Sequence, residues 1–275
     1  MKITKKLTYE FGMVCVALLI SIPLLQALSN SFKSQSEIVL NPLGFPKFEV
    51  GFGNFTVAFN SMNLVKSYFI SLTIAIGALF IAVFFASLAS YAIARIKHPL
   101  FNLAYWFYFV CILLPVQSGI IPLVFLMKKI HLTNTLPGII FLFAAAIIPF
   151  FVFLYTGFIR SIPRELDEAA YCEGSSFLRT YFSIIFPLLK PATASLVVVF
   201  FVVIWNSFFL PLIFLNGGTY PTVTIELFSF FTTRGFTNYG AIYAGVILAI
   251  IPVIILFISC QKYFVAGLSS GAIKG

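Results

Sequence analysis

Apolar residues in this chain fall into six runs separated by polar breaks: 7–27, 68–94, 100–127, 136–159, 192–215 and 239–260. Each holds about 20 residues or more, which is what an α-helix needs to cross a hydrocarbon core of roughly 30 Å. A membrane strand would need only about 9–11 residues in strict alternation, so helices are the better reading. The pattern predicts an all-α integral membrane protein with six transmembrane helices, residues 1–275 forming a single membrane domain.

An even number of spans places both termini on one side, and Lys and Arg choose the side. With the N-terminus inside, the inner segments hold Lys2, Lys5, Lys6, Arg95, Lys97, Arg160, Arg164, Arg179, Lys190, Lys262 and Lys274. The outer ones hold Lys33, Lys47, Lys66, Lys128, Lys129 and Arg234, so the bias favours cytoplasmic N- and C-termini while Lys128 and Lys129 oppose it. Lys2, Lys5 and Lys6 ahead of an apolar run also resemble a secretory leader. That run exceeds the usual 7–15 residues, and Ala27–Leu28–Ser29 is a poor cleavage site, so it reads as a retained first span.

Composition agrees. Hydrophobic residues make up 61% and charged ones 9%, against about 45–50% and a quarter in soluble globules. The surplus needs lipid. The net charge of +9 is scattered around the spans rather than gathered in a stripe, so no nucleic-acid partner is expected. Cys15, Cys111, Cys172 and Cys260 are far apart without paired spacing, and His98 and His131 have no neighbouring ligands; no metal site is expected.

Between spans one and two, a stretch of about forty residues is punctuated by Pro42, Gly44, Pro46, Gly51 and Gly53. It reads as turns with a short interfacial element rather than a folded domain. Pro23, Pro115, Pro122, Pro149, Pro211 and Pro252 interrupt the apolar runs. Each leaves a backbone carbonyl that neighbouring helices must satisfy in lipid, which implies a bundle.

The long inner connection, residues 160–191, is rich in Arg, Lys, Asp and Glu and has to meet water or another protein. Ser161 is placed to cap a helix with Pro163 in its first turn, and Glu165, Asp167 and Glu168 suit the positive end of the helix dipole. Ala169 and Ala170 keep the helix surface flat. Gly174 marks a break, through a positive φ or a close approach. A second helix, about 176–186, gathers Phe177, Tyr181, Ile184 and Ile185 on one side, and Pro187 and Pro191 end it before span five. The result is a helix–break–helix element between spans four and five, with small residues at its tip.

Glu168–Ala169–Ala170, three residues, Gly174, nine residues, Ile184, one residue and Pro187 match EAA-x3-G-x9-I-x-L-P. This motif is the EAA signature of permease subunits in binding-protein-dependent ABC importers, which the chain resembles. Phe186 stands where Leu is usual and Glu173 where Asp is common. The run WNSFFLPLIFL, residues 205–215, and the ending QKYFVAGLSSGAIKG, residues 261–275, resemble the smaller six-span permease of maltose-type carbohydrate importers.

The resemblance implies a bacterial-type inner-membrane location and a sugar or related polyhydroxy solute. It also implies a second, different permease subunit, two cytoplasmic ATPase subunits carrying ATP and Mg, and an extracytoplasmic solute-binding protein. Residues 160–191 become the cytoplasmic coupling segment, with Glu168, Ala169, Ala170, Gly174, Ile184 and Pro187 at the ATPase contact. The chain has no G-x-x-x-x-G-K-[S/T] phosphate loop, so it is not expected to be an enzyme and carries no catalytic residues or cofactor of its own.

Local readings stand beside these. Glu168 could pair with Arg160, Arg164 or Arg179, and Gly174 could simply terminate a helix. Trp205 and Asn206 interrupt an apolar run, where an Asn is costly unless it meets a partner or a cavity. A structural hydrogen bond explains Asn206 as well as sugar contact does. Trp205, Asn206, Ser207 and Gln117 are the candidates for lining a solute path, with Ser118, Asn134 and Thr156 as further polar groups. The scarcity of charge within the spans disfavours a proton-coupled carrier working alone. An ABC permease for another nutrient is the nearest alternative.

Overall fold

Every element among the described residues is helical, the solution that satisfies backbone hydrogen bonds within one segment in lipid. The computed structural model describes the backbone of residues 2–216, 218–234 and 238–272, and the side chains of 9–216, 218–233 and 238–260. In chain order the helices are α1 (Lys2–Asn30), α2 (Gln35–Leu40), α3 (Gly53–Ser61), α4 (Leu64–Arg95), α5 (Pro99–Leu113), α6 (Ile120–Lys129) and α7 (Leu136–Ser161). There follow α8 (Glu165–Cys172), α9 (Phe177–Leu188), α10 (Lys190–Trp205), α11 (Phe209–Phe214), α12 (Val223–Arg234) and α13 (Tyr239–Ala272).

The chain is a multi-pass membrane protein. Four segments, Tyr9–Asn30, Leu64–Arg95, Leu136–Ser161 and Tyr239–Cys260, are long and apolar enough to cross unbroken. The count reaches six only if two bent pairs each make one span: Pro99–Leu113 with Val116–Lys129, bent by 92°, and α9 with α10, bent by 68°.

Two expected spans are therefore not continuous helices. The run at 100–127 breaks at Leu114, whose ψ of 115° is extended, as the ring of Pro115 demands of the residue before it. The run at 192–215 stops at Trp205, with Asn206 as its C-cap, and restarts as α11. Pro211 has no N–H to return to Ser207, which removes one of the bonds that would bridge the gap. Lys128 and Lys129 lie in the last turn of α6. Cations are favoured at that negative end of the dipole, which accounts for a pair that the topology bias does not.

The structure separates into two compact units, Met1–Lys66 with Val223–Pro252 and Ser67–Thr222 with Val253–Gly275. In the first unit, the stretch expected to be turns carries α2 and α3 on a buried polar frame. Lys33, 1% exposed, donates from Nζ to the carbonyls of Asn41 (3.0 Å) and Pro42 (3.2 Å). Asn54 donates from Nδ2 to the carbonyls of Ser31 and Lys33, both at 2.9 Å. Phe32 packs against Phe48, Phe52 and Phe55. Glu226 on α12 is half-buried, which pushes its carboxyl pKa up, while Lys66 draws it back.

Gly240 sits against this frame. A Cβ there would stand 2.7 Å from the Lys33 carbonyl and closer still to the Asn54 amide. Gly240→Ala is expected to cost about 1–3 kcal/mol through overpacking, read as a lower thermal midpoint in detergent; an unchanged midpoint would show that the frame yields freely.

In the second unit, α4 turns Ala75, Ala78, Ala82, Ala86 and Ser90 inward, all buried. This spacing of small residues follows one helix face and lets a neighbour approach closely. That neighbour is α7, where Ser90 Oγ donates to the Val152 carbonyl at 3.1 Å. Tyr155 of α7 in turn donates to Thr193 Oγ1 of α10 at 2.9 Å.

Candidate functional site

The polar connection forms α8, a break, and α9, all in the second unit. Its acidic first turn, Glu165, Asp167 and Glu168, meets the positive end of α8. Ser161 does not cap this helix. It belongs to the last turn of α7, where its Oγ donates to the Phe158 carbonyl at 2.7 Å, and Arg164 takes the capping position.

The break is a glycine-dependent stop. Gly174 has φ of +80°, and its N–H donates to the Tyr171 carbonyl while that of Ser175 reaches back to Ala170, both at 2.9 Å. This paired closure satisfies two carbonyls that the end of α8 would leave orphaned. A Cβ at Gly174 would meet nothing within 4 Å, so the glycine answers a backbone need and not internal crowding.

α9 then starts with Ser176, whose Oγ accepts from the Arg179 N–H at 3.4 Å. Its inner face holds Thr180, Tyr181 and Ile185, all buried, with Phe177 and Ile184 half-buried. Between Tyr181 and Ile185 the helix widens by one residue, the Phe186 N–H reaching the Tyr181 carbonyl. Pro187, exposed, starts the last turn without an N–H to give.

What fixes the element is a set of buried bonds to the end of α4. Asp167, 5% exposed, pairs through Oδ2 with Arg95 Nη2 at 2.9 Å. Its Oδ1 accepts from the Tyr91 hydroxyl at 2.6 Å. Tyr91 stacks on Phe177 with ring centroids 4.4 Å apart, and the Tyr181 hydroxyl lies 2.6 Å from Ser87 Oγ. Arg95 also donates to the Ile162 carbonyl and Arg164 to that of Ala94, each at 3.1 Å. Two oppositely charged groups thus leave water together, a cost that only good geometry and added hydrogen bonds offset.

The opposite face is uncovered. Leu166, Tyr171, Leu178 and Phe182 are 41–53% exposed, and Glu168, Ala169, Glu173 and Gly174 are exposed beside them. The sequence motif therefore divides: Ala170 packs inward, while Glu168, Ala169 and Gly174 face outward. Of the acidic residues, Asp167 is the structural one. Sequence reasoning named it only as a dipole partner and overlooked Tyr91, Arg95 and Ser87; the usable signal was a single Arg ending a 32-residue apolar helix.

The path candidates do not form one cluster of contacts. Trp205 is 3% exposed and packs between Phe201, at 5.6 Å, and Tyr68, at 6.0 Å. Asn206 is exposed at the end of α10, and Ser207 is half-buried just beyond it. Gln117 is exposed in the short turn Val116–Gly119 at the sharp bend. Thr156 is wholly buried. Arg234 and the ending at 261–275 lie outside the residues whose side chains are described. No group of three metal-ligating side chains gathers among the described residues.

A family profile described as the binding-protein-dependent transport system inner membrane component matches residues 82–270. The chain belongs to this family. The match spans the stretch from α4 through the helix–break–helix element and into α13. Among members, the melibiose/raffinose/stachyose import permease of Bacillus subtilis is 35% identical over 92% of this chain and 91% of its own length. A permease of Thermoanaerobacterium thermosulfurigenes, named as probable in transport of starch degradation products, is 35% identical over 99% and 98%. A solved bacterial ABC transporter involved in import of the acidic polysaccharide alginate has a chain of the same fold, with a TM-score of 0.82 at 20% identity, covering 95% and 96%. Family members are transport components and not enzymes.

Proposed function

We propose that this chain is one of two permease subunits of an ATP-driven importer and forms part of the membrane path for a sugar or related polyhydroxy solute. The observation that carries the reading is a helix–break–helix element tied internally to α4 and bare on its other face. Near full-length likeness to permeases named for sugar substrates supports the solute class.

In this reading residues 160–191 lie in the cytoplasm, with both termini, and the bare face of α8 and α9 seats in a groove of one of two ATPase subunits. ATP and Mg are bound and used there. When the ATPases close, the Asp167–Arg95 pair and the Tyr91 and Tyr181 hydroxyls carry the push to α4. The Ser90–Val152 and Tyr155–Thr193 bonds pass it on to α7 and α10. A second, different permease subunit completes the path, and a binding protein outside delivers solute. Asn206 and Gln117, exposed at helix breaks, offer amides to sugar hydroxyls, while Trp205 stays buried against Phe201 and Tyr68.

Reconstitution of the complete transporter tests this. Uptake of labelled mono- and oligosaccharides should need ATP and the binding protein, and full active uptake from this chain without an ATPase would overturn the reading. Asn206→Leu is expected to alter sugar selectivity with assembly intact. Lost assembly with unchanged selectivity would make Asn206 a structural residue.

A further inference from the structure

A second site lies on the same unit and reaches Arg164 at the cap of α8. Where α4, α5 and α7 end, a cavity of about 460 Å³ is lined by Lys97, His98, Asn102, Arg160 and Arg164, with Ile96 among the apolar residues between them. No carboxylate lines it. Such a volume falls within the range of small-ligand sites, which is about 300–1,000 Å³.

The polar lining is exposed, and Arg160, Arg164 and His98 each carry a contact that orients them. The Arg160 guanidinium sits over the Tyr105 ring, 4.8 Å from its centroid. Stacking of this kind occupies the face and leaves the N–H edge to donate. Arg164 spends Nη2 on the Ala94 carbonyl, which fixes the fork and leaves its other N–H groups. His98 Nδ1 accepts from the Leu100 N–H at 3.2 Å, so the neutral ring carries its proton on Nε2 as a donor. Asn102 adds an amide. Converging donors without a counter-charge fit a phosphate.

The surroundings favour a lipid as its source. Next to the cavity, α5 exposes Leu100, Leu103, Trp106 and Phe107, each more than half exposed. An apolar and aromatic face beginning where the basic cavity ends suits acyl chains lying along a helix below their headgroup. We propose that this cavity binds the phosphodiester headgroup of an acidic phospholipid, its acyl chains running along α5. The site does not depend on which solute the chain carries, or on whether it carries one.

The test uses the chain purified with the subunits that co-assemble with it, from membranes containing phosphatidylglycerol, and native mass spectrometry of retained lipid. Wild type should keep phosphatidylglycerol in preference to phosphatidylethanolamine. Lys97→Gln with Arg160→Gln should reduce that retention by roughly thirtyfold, as expected for two basic groups lost at a membrane surface. Lys128→Gln with Lys129→Gln should leave it unchanged, and an equal fall there would reduce the effect to general charge attraction and overturn the site. A photoactivatable phosphatidylglycerol supplies an arm that needs no variant: adducts in wild type should map to residues 93–107 and 160–164. Adducts elsewhere, or displacement by inorganic phosphate with no lipid retained, would also overturn the proposal, the latter indicating a free-anion site.

Discussion

Asp167→Ala should release the helix–break–helix element from α4 and abolish coupled uptake. The substitution leaves the Arg95 guanidinium, 8% exposed at its side chain, without its counter-charge, and removes the acceptor of the Tyr91 hydroxyl. Breaking a buried pair from one side costs about 3–5 kcal/mol, a large share of the 5–15 kcal/mol that holds a typical domain together. Thermal unfolding in detergent should show a marked loss, and co-purification of an ATPase should fail or weaken. Arg95→Met with Asp167→Leu and Tyr91→Phe removes the charge pair and the hydroxyl together, leaving only the Ile162 carbonyl without its donor, and should recover much of the stability because no buried charge is then unpaired. Whether coupling returns with stability separates a mere fastener from a transmitting strut. A single Asp167→Ala variant with wild-type stability and uptake would sink both roles.

The other large effect is expected at Gly174. Gly174→Val should leave the chain in the membrane yet separate ATP hydrolysis from uptake. A left-handed backbone costs an L-residue roughly 1–2 kcal/mol and is worst for a β-branched one. Because a Cβ there meets nothing within the chain, any loss comes from the backbone or from a partner pressed against the tip. Gly174→Asn distinguishes these, since Asn tolerates positive φ. Near-normal uptake with Asn and loss with Val would assign the effect to the backbone. Equal loss with both would assign it to a closely fitting partner. Full coupled uptake in both variants would count against α8 and α9 as the ATPase contact.

The sequence disclosed the membrane class and the break at Gly174 because both rest on local rules: apolar length and a residue with no Cβ. The burial of Tyr181 and Ile185 was equally legible, as a one-sided spacing on a short helix. What escaped was long-range. Asp167 and Arg95 stand 72 positions apart in the chain, and nothing local reveals that one acidic residue of three turns inward. Span continuity also misled, because hydropathy does not register that Pro115 forces its predecessor out of a helix or that Asn206 ends one. In the stretch between spans one and two, glycines and prolines hid a frame whose support is the backbone itself, with Lys33 and Asn54 reaching carbonyls.

The early stop at Trp205 leaves a short helix. Sixteen residues of α10 rise about 24 Å, less than the roughly 30 Å of hydrocarbon. A straight α10 is therefore not enough for a crossing by itself, and the remainder has to come from α9 across its 68° bend or from α11 beyond Asn206.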